Sequence, residues 1–483
     1  MDTVVREAFG LDPGVEPVPH PQRRLGALDV AVLWGDLGIG LLVLVTGALL
    51  VPALGFAQAL VAIVVGSVAG VALLALAGGA GARYGVPTMV LLRPVLGLRG
   101  AWLPAGLNLA QLVGWTAVEL WAMSLVADLV SEQVFGFSAR HLWLVLAALV
   151  CTALALWGPV GVTRVWMERF GAWVIGAICL VVSVLVLTSG GLGEALTRPG
   201  AGGYPTFGAA LDLVIAMPVS WLPLVADYNR FARGARPAAA GTFWGYLVAN
   251  VWLYALGALL VLTAGAEPSP AGIAAGILAL AGGSLAGVLF LVGLLVGETD
   301  EAFADIYSGA VSLQSIFPRL PLRAFVVAIA ALSTVLAAWL TMARYESFLF
   351  LIGSVFVPLF GVFMADHYLT RRGELSLPDL YQDKGAYWYS GGVRLTALAP
   401  WLAGFAAYHW IAPTGPAWWT ELAASLAGTP LAARLPWLPA SLPAFGVAAL
   451  LALALSSARR GRAGPEQPGV PTSSTSPTKR STG

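Results

Sequence analysis

Between residues 28 and 457 the sequence divides into twelve apolar runs, at 28–51, 56–77, 102–129, 141–157, 170–189, 207–226, 243–264, 285–312, 323–341, 346–369, 395–412 and 439–457. A helix needs about 20 apolar residues to cross the hydrocarbon core of a bilayer. Backbone in lipid must also bond to itself, so runs of this length fold as membrane-spanning helices. With 58% hydrophobic and only 11% charged residues, a chain of 483 residues is too apolar for a soluble globule. The runs predict an all-α polytopic membrane protein with twelve transmembrane helices.

Positive charge tests the count, because Lys and Arg gather in cytoplasmic loops. With the N-terminus inside, 22 of the 26 basic residues fall on the inner side, and only Arg140, Arg198, Arg344 and Arg434 fall outside. One miscounted helix would invert every later loop, so the asymmetry supports twelve spans in the cell (inner) membrane with both termini cytoplasmic. Residues 1–27 then form a cytoplasmic tail without the apolar stretch of a signal peptide. Residues 458–483, rich in Pro, Ser and Thr, are expected to be a disordered cytoplasmic tail. The net charge of +1 gives no reason to expect nucleic acid, and the partner the basic residues address is the lipid bilayer. Cys151 and Cys179 both fall inside spans, so neither a disulfide framework nor Cys/His metal spacing is expected.

Two spans are interrupted. Span one reads LWGDLGIGLLVL, with Gly35, Gly38 and Gly40 loosening the helix around Asp36. Span six reads IAMPVSWLPLVADYNRF, with Pro218 and Pro223 bracketing Val219 to Leu222. Glycine weakens a helix and proline removes one of its donors. Each break begins a block of five spans, and five is odd, so the second block starts from the opposite face. This is a five-plus-five inverted repeat with discontinuous helices 1 and 6: repeat one at 28–189, repeat two at 207–369, and two extra helices at 395–457. Paired breaks of this kind point to a transporter's central site; the alternative is that Gly and Pro are simply common in membrane helices.

Span three carries Asn108, Gln111, Trp115 and Glu119 at spacings of three, four and four, one polar stripe on an apolar helix. Trp115 lies about 20 Å along the axis from Trp102, near mid-membrane if Trp102 marks the interface. A second polar face, Glu298, Glu301, Asp305, Ser308 and Ser312, also has helical period, and Asp300 lies between its first members. If span eight starts near Leu285, as the short run Ala271 to Ala281 and the Gly282–Gly283 pair suggest, Glu298 falls near its centre. If it starts at Ile273, the acids lie in a cytoplasmic loop. Both readings stand on period alone.

Asp227 and Arg230 read as a helix-end ion pair, and His367 and His409 as packing residues. Tyr387, Trp388 and Tyr389 read as an interfacial aromatic cluster. No HExxH, Cys/His cluster or serine elbow appears, so a membrane-embedded enzyme is not expected. A channel is a rival, and the two breaks in inverted halves favour alternating access.

The segments YGVPTMVLLRPVLGLRGAWLPAGLNLAQLVGW, WLPLVADYNRFAR, DIYSGAVSLQ, FGVFMADHYL and GAYWYSGGVR, in this order, resemble the nucleobase:cation symporter (purine/cytosine permease) family, closest to its cytosine and hydroxymethylpyrimidine permeases. The resemblance implies the leucine-transporter type of fold. It implies a substrate held between spans one, three, six and eight, stacked on Trp115 and hydrogen-bonded by Glu119 one turn later. Gln111 and Gly35 lie beside them, and Met217, Ser220 and Trp221 lie in the unwound part of span six. It implies a coupling site between spans one and eight, at Asp36, Gly38, Glu298, Asp300 and Glu301, where sodium or a proton would bind. Relatives usually have neutral residues at Asp36 and through the acidic segment, so the added carboxylates bring proton coupling into view. The implied function is import of a nucleobase-like aminopyrimidine by cation symport, as a monomer and without a cofactor. Purine, uracil, allantoin or hydantoin transport is the alternative within the family. Glu119 favours aminopyrimidines, because a carboxylate accepts two hydrogen bonds side by side from an amino group and a neighbouring ring N–H.

Overall fold

The computed structural model describes residues 15–157, 172–317 and 319–462. Residues 1–14, residues 158–171 with Arg164 and Arg169, residue 318, and the Pro/Ser/Thr-rich segment beyond 462 lie outside the described residues, so the expectations placed on them do too. Among the described residues every labelled element is helical, and pairing is limited to isolated bridges such as Leu25 with Ala232.

Each of the twelve apolar runs contains helix. The first is split into α1 (Ala27–Asp36) and α2 (Leu41–Leu49), bent by 64° at the break. Then come α3 (Phe56–Tyr84), α4 (Trp102–Phe135), α5 (Arg140–Trp157) and α6 (Ala172–Leu187). The sixth run is split into α7 (Phe207–Ser220) and α8 (Val225–Asn229), followed by α9 (Ala235–Ala264) and the short α10 (Pro270–Leu280). The rest are α11 (Leu285–Ile316), α12 (Leu322–Ala337), α13 (Met342–Met364), α14 (Leu395–Ile411) and α15 (Ser441–Arg462). Among the described residues, by length and apolarity alone five helices could each cross a membrane, and the bent α1–α2 pair makes a sixth; α6, α7, α10, α12 and α15 are apolar but shorter.

Local chemistry explains two boundaries that position the site. Ser269 caps α10, its hydroxyl accepting from Gly272 N at 3.0 Å, and the chain then reverses through Gly282 and Gly283 at φ +65° and +64°, which L side chains rarely adopt. The next span therefore starts at Leu285, and the acids lie inside a helix rather than in a loop. The break in the sixth run lies later than expected. The helix continues through Pro218 to Ser220, and the unwound stretch is 221–224. Proline disturbs the turn before it more than the turn after it, and Pro223 is tolerated just ahead of α8, where its missing N–H costs nothing. Of Met217, Ser220 and Trp221, only Trp221 is in the break.

The helices form two groups. In one, α3 and α9 pack together and hold the broken runs, α1 and α2 against α9 and α7 against α3. In the other, α4 and α11 pack together, with α12 against α4 and α5 against α11. Exchanging each helix for the one five spans later maps these contacts onto one another, as a five-plus-five repeat requires. The broken first run approaches α9 backbone to backbone. A Cβ on Gly47 would lie 2.6 Å from Tyr254 Cα, and one on Gly245 would lie 2.8 Å from Ala31 Cα, the close approach that small residues permit between membrane helices. The last helices, α14 and α15, pack on each other and on α13.

Candidate functional site

The polar stripe of α4 faces the two helix breaks. Asn108 Nδ2 donates to Ser312 Oγ on α11 at 2.7 Å, and Gln111 Nε2 donates both to Asn108 Oδ1 at 3.0 Å and to the backbone carbonyl of Ser220 at 2.7 Å. This chain joins α11, α4 and the end of α7, where an unwinding helix leaves carbonyls without intrahelical partners. The Ser220 hydroxyl is spent on its own helix, donating to Met217 O at 2.6 Å, so Ser220 meets α4 through its backbone. One turn on, Trp115 sets its ring edge-on to Tyr345 and Phe348 of α13, with centroids 6.1 and 5.4 Å away. Trp115 Nε1, Gln111 Oε1 and Glu119 Oε2 are buried and have no partner among the described residues. They leave a donor between two acceptors along one helix face.

A second aromatic group stands on the breaks. Trp34, next to Gly35, meets Trp221 edge-on at 5.8 Å and Tyr246 of α9 at 6.1 Å, and its Nε1 donates to Asn229 Oδ1 at 2.7 Å. Tyr345 closes the arrangement, its hydroxyl 2.7 Å from Thr46 Oγ1 and 3.9 Å from Met217 Sδ.

The acids of the first break and of α11 are all buried: Asp36 is 6% exposed, Glu298 0%, Asp300 2%, Glu301 5% and Asp305 3%, with Glu119 of α4 at 1%. A Glu298 carboxylate oxygen accepts from Leu41 N, the first amide of α2, where the helix has unsatisfied donors and a positive dipole end. Gly40 permits this, since a Cβ there would lie 3.0 Å from the same oxygen. Asp36 instead interacts with Asp300 and Glu301, and Glu119 with Asp305, Glu301 and Glu298. Asp36 therefore has Asp300 and Glu301 as neighbours in charge. Both oxygens of Asp36 and Asp300, Glu298 Oε2 and Glu301 Oε1 have no hydrogen-bond partner among the described residues. No three carboxylates, His or Cys among those residues converge as a metal site. Gly35 and Gly38 turn the face a side chain would occupy towards α9, 3.6 Å from Gly245 O and 3.0 Å from Ala249 Cβ.

The remaining expectations fall outside this centre. Asp227 Oδ1 accepts from Thr88 N at 3.0 Å, while Arg230 Nε donates to Asp227 O at 3.1 Å. His367 stacks on Phe363 at 5.3 Å, and His409 accepts from Trp419 Nε1 at 3.0 Å. Tyr387, Trp388 and Tyr389 lie under the guanidinium groups of Arg371, Arg99 and Arg394. The sequence reading missed Trp34, Tyr246, Tyr345 and Phe348. A signal for Tyr246 was present: Thr242, Tyr246, Asn250 and Tyr254 recur every four residues on α9, all fully buried.

Two interrupted helices meeting two long ones around a buried polar centre define a secondary transporter of the leucine-transporter type. A nucleobase-cation-symport-1 family transporter, solved in a closed conformation with bromovinylhydantoin bound, has this fold, with a TM-score of 0.77 at 24% identity over 94% of this chain and 96% of its own. A Na+-coupled sialic acid symporter shares it at a TM-score of 0.61 and 12% identity, over 93% of each chain. Residues 17–428 match the family described as permease for cytosine/purines, uracil, thiamine and allantoin, and the chain belongs to that family. It is 26% identical to a hydantoin permease of Microbacterium maritypicum, over 82% of this chain and 84% of that one. The allantoin permease of Bacillus subtilis (strain 168) is 27% identical over 80% and 84%, and the cytosine permease of Escherichia coli (strain K12) 25% over 74% and 81%. The protein is a membrane transporter and not an enzyme.

The buried break gives a direct prediction. In a background lacking Cys151 and Cys179, Ser220→Cys is expected to react with a small thiol reagent only when the carrier opens, since Ser220 is 5% exposed here. Saturating substrate should slow the labelling, and a labelling rate that ignores substrate would remove Ser220 from the transport path.

Proposed function

We propose that the protein imports a flat nucleobase-like heterocycle, an aminopyrimidine such as cytosine or hydroxymethylpyrimidine, by symport with a cation. The observation that carries this reading is the placement of Trp115 and Glu119 one turn apart on α4, both buried, with spare polar atoms facing the meeting point of the two breaks. A ring stacked on Trp115 would present its edge to Glu119, and a polar edge left unmatched there would cost about 1–3 kcal/mol per group. The hydantoin and allantoin permeases among the relatives favour a second reading, a ring with carbonyl edges. In that case Trp115 Nε1 would supply a donor, and Gln111 Oε1 would accept from a ring N–H.

The coupling ion in this proposal is a proton or sodium, bound between α1–α2 and α11, with Asp36, Glu298, Asp300 and Glu301 as the candidate carboxyl groups. The transporter would work as a monomer of twelve spans in the inner membrane, with both termini cytoplasmic. The reciprocal packing of the two helix groups and the distribution of basic residues support that topology.

Counterflow in proteoliposomes tests the reading. Vesicles loaded with unlabelled cytosine should take up labelled cytosine transiently with no ion gradient, and hydantoin or allantoin should compete if the second reading holds. Absence of exchange with every member of the panel would overturn a heterocycle carrier.

A further inference from the structure

We propose that the open cavity between the end of α13 and the start of α14 binds the phosphate headgroup of an anionic phospholipid. It shares no lining residue with the two helix breaks and is a site separate from those of substrate and coupling ion.

The cavity has a volume of about 660 Å³, within the range that takes a small molecule, and is lined by Asp366, Thr370, Arg371, Arg372, Glu374 and Arg394. Asp366 and Thr370 belong to Ala365–Thr370, a wider helical turn that continues α13, and Arg394 is the residue ahead of α14. Asp366 holds two of the three arginines, one oxygen accepting from Arg371 Nε and the other from Arg394 Nη1, each at 2.6 Å. Arg371 Nη2 also donates to the Tyr389 hydroxyl at 2.8 Å and to Pro94 O at 3.0 Å, so its guanidinium is fixed in place. Arg372 is exposed and is paired with no carboxylate among the described residues. Its backbone takes φ +53°, a left-handed conformation unfavourable for an L residue, and this turn sets Arg372 in the cavity wall. Arg83 of α3 approaches the same turn, since a Cβ on Gly373 would lie 2.7 Å from its Nη1. An arginine keeps its charge where a carboxyl group can lose it. One carboxylate shared by two guanidinium groups therefore leaves an excess of positive charge, which Glu374, the other acid of the wall, does not cancel.

The surface around the cavity selects a lipid over a free anion. Leu369 and Leu395, next to Thr370 and Arg394 in the chain, are 63% and 67% exposed. Asp366 and Arg394 also line the seam where α13, α14 and α15 meet, together with Val362, Ala452 and Leu455. In that seam Arg394 Nε and Thr396 Oγ1 are buried with no hydrogen-bond partner among the described residues. They stand at the N-terminus of a helix of 17 residues, whose dipole favours an anion. An apolar seam opening on a basic pocket beside the ends of membrane helices accommodates both parts of a phospholipid. Its phosphate would sit among Arg371, Arg372 and Arg394, and an acyl chain would run along the seam.

Native mass spectrometry of the purified full-length protein, titrated in detergent with phosphatidylglycerol and with phosphatidylcholine of the same acyl chains, tests this. The first phosphatidylglycerol should bind at least about tenfold more tightly than phosphatidylcholine. Arg372→Gln should weaken that binding about fivefold, the worth of one arginine near an anionic headgroup, and Arg372→Lys should restore most of it. Neither substitution touches the ion pairs of Asp366, so both variants should unfold at the wild-type temperature without lipid. Arg323→Gln removes an exposed arginine outside the cavity and should leave the affinity unchanged. Equal affinity for the two lipids would overturn the inference, and so would an equal loss in Arg372→Gln and Arg323→Gln, which would mean a diffuse surface charge. Thermal unfolding of the delipidated protein with inorganic phosphate separates the two sources of the anion. Phosphate should give no stabilisation that depends on Arg372; a rise in melting temperature present in wild type and absent from Arg372→Gln would make the cavity a site for a soluble anion and overturn the lipid.

Discussion

Glu298→Gln should exchange substrate across a membrane at close to the wild-type rate and fail to concentrate it. One Glu298 oxygen accepts from Leu41 N at the start of α2, with Gly40 leaving room for the approach. A glutamine keeps that acceptor in its side-chain carbonyl, so the break, the packing and the substrate site should survive. What it loses is the ability to take up and release a positive charge. A carrier without its coupling site still equilibrates substrate, but an ion gradient no longer drives it. Accumulation should fall to a ratio of about one in the variant, because a ligand step that is the same in both states shifts no equilibrium. Glu298→Ala is the informative companion: it removes the cap as well, which typically costs about 0.5–2 kcal/mol, so it should lower thermal stability where Glu298→Gln does not. Uptake and exchange measured in the same vesicles, under a proton gradient and separately under a sodium gradient, decide the matter. Wild-type accumulation by Glu298→Gln would make Glu298 a helix cap and nothing more.

The spacing of Glu298 carries no trace of that capping role. Its partner Leu41 is 257 positions away, and the Trp34–Asn229 bond spans 195. Period within a helix reveals which residues share a face, and it placed Trp115 with Glu119 and put the acids on α11 once Gly282 and Gly283 set the helix start. It does not reveal which other helix that face meets. Asp300 shows the limit from the other side. It lies off the stripe of Glu298, Glu301 and Asp305, yet it is buried with Asp36 as a neighbour in charge, because α11 is buried on every side from 300 to 312 and has no exposed face there to which period can assign a residue. The sixth-run break was displaced for a local reason, since proline marks the neighbourhood of an interruption better than its residue.

These contacts also indicate how substrate and ion could be linked. Leu41 at the start of α2 is held by Glu298 of α11, Ser220 at the end of α7 by Gln111 of α4, and Tyr345 of α13 reaches Thr46 of α2 and Met217 of α7. Each bond joins one of the broken runs to a helix outside the α3–α9 group. Relative motion of the two groups must break or exchange the bonds from Glu298 and Gln111, so occupancy by substrate and ion can bias the same equilibrium.

Trp115→Ala should have the largest effect on binding of any single substitution in α4. The indole offers the broadest surface in the stripe, its edges are fixed by Tyr345 and Phe348, and its Nε1 has no protein partner. Aromatic pairing contributes about 0.5–1.5 kcal/mol beyond buried area, and with the lost apolar contact the affinity for a heterocycle should fall by more than about tenfold. Truncating a buried tryptophan can also cost about 3–5 kcal/mol of stability, so loss of binding by this variant alone would not separate the two causes. Trp115→Phe does: it keeps a ring against Tyr345 and Phe348 and removes the N–H donor with part of the indole surface. The phenylalanine variant should retain most of the affinity for a stacked ring, the alanine variant should lose it, and both should be compared by thermal unfolding without substrate. Affinities that are equal in wild type, Trp115→Phe and Trp115→Ala would move the substrate away from α4, and the acids would then have to be read without Trp115 beside them.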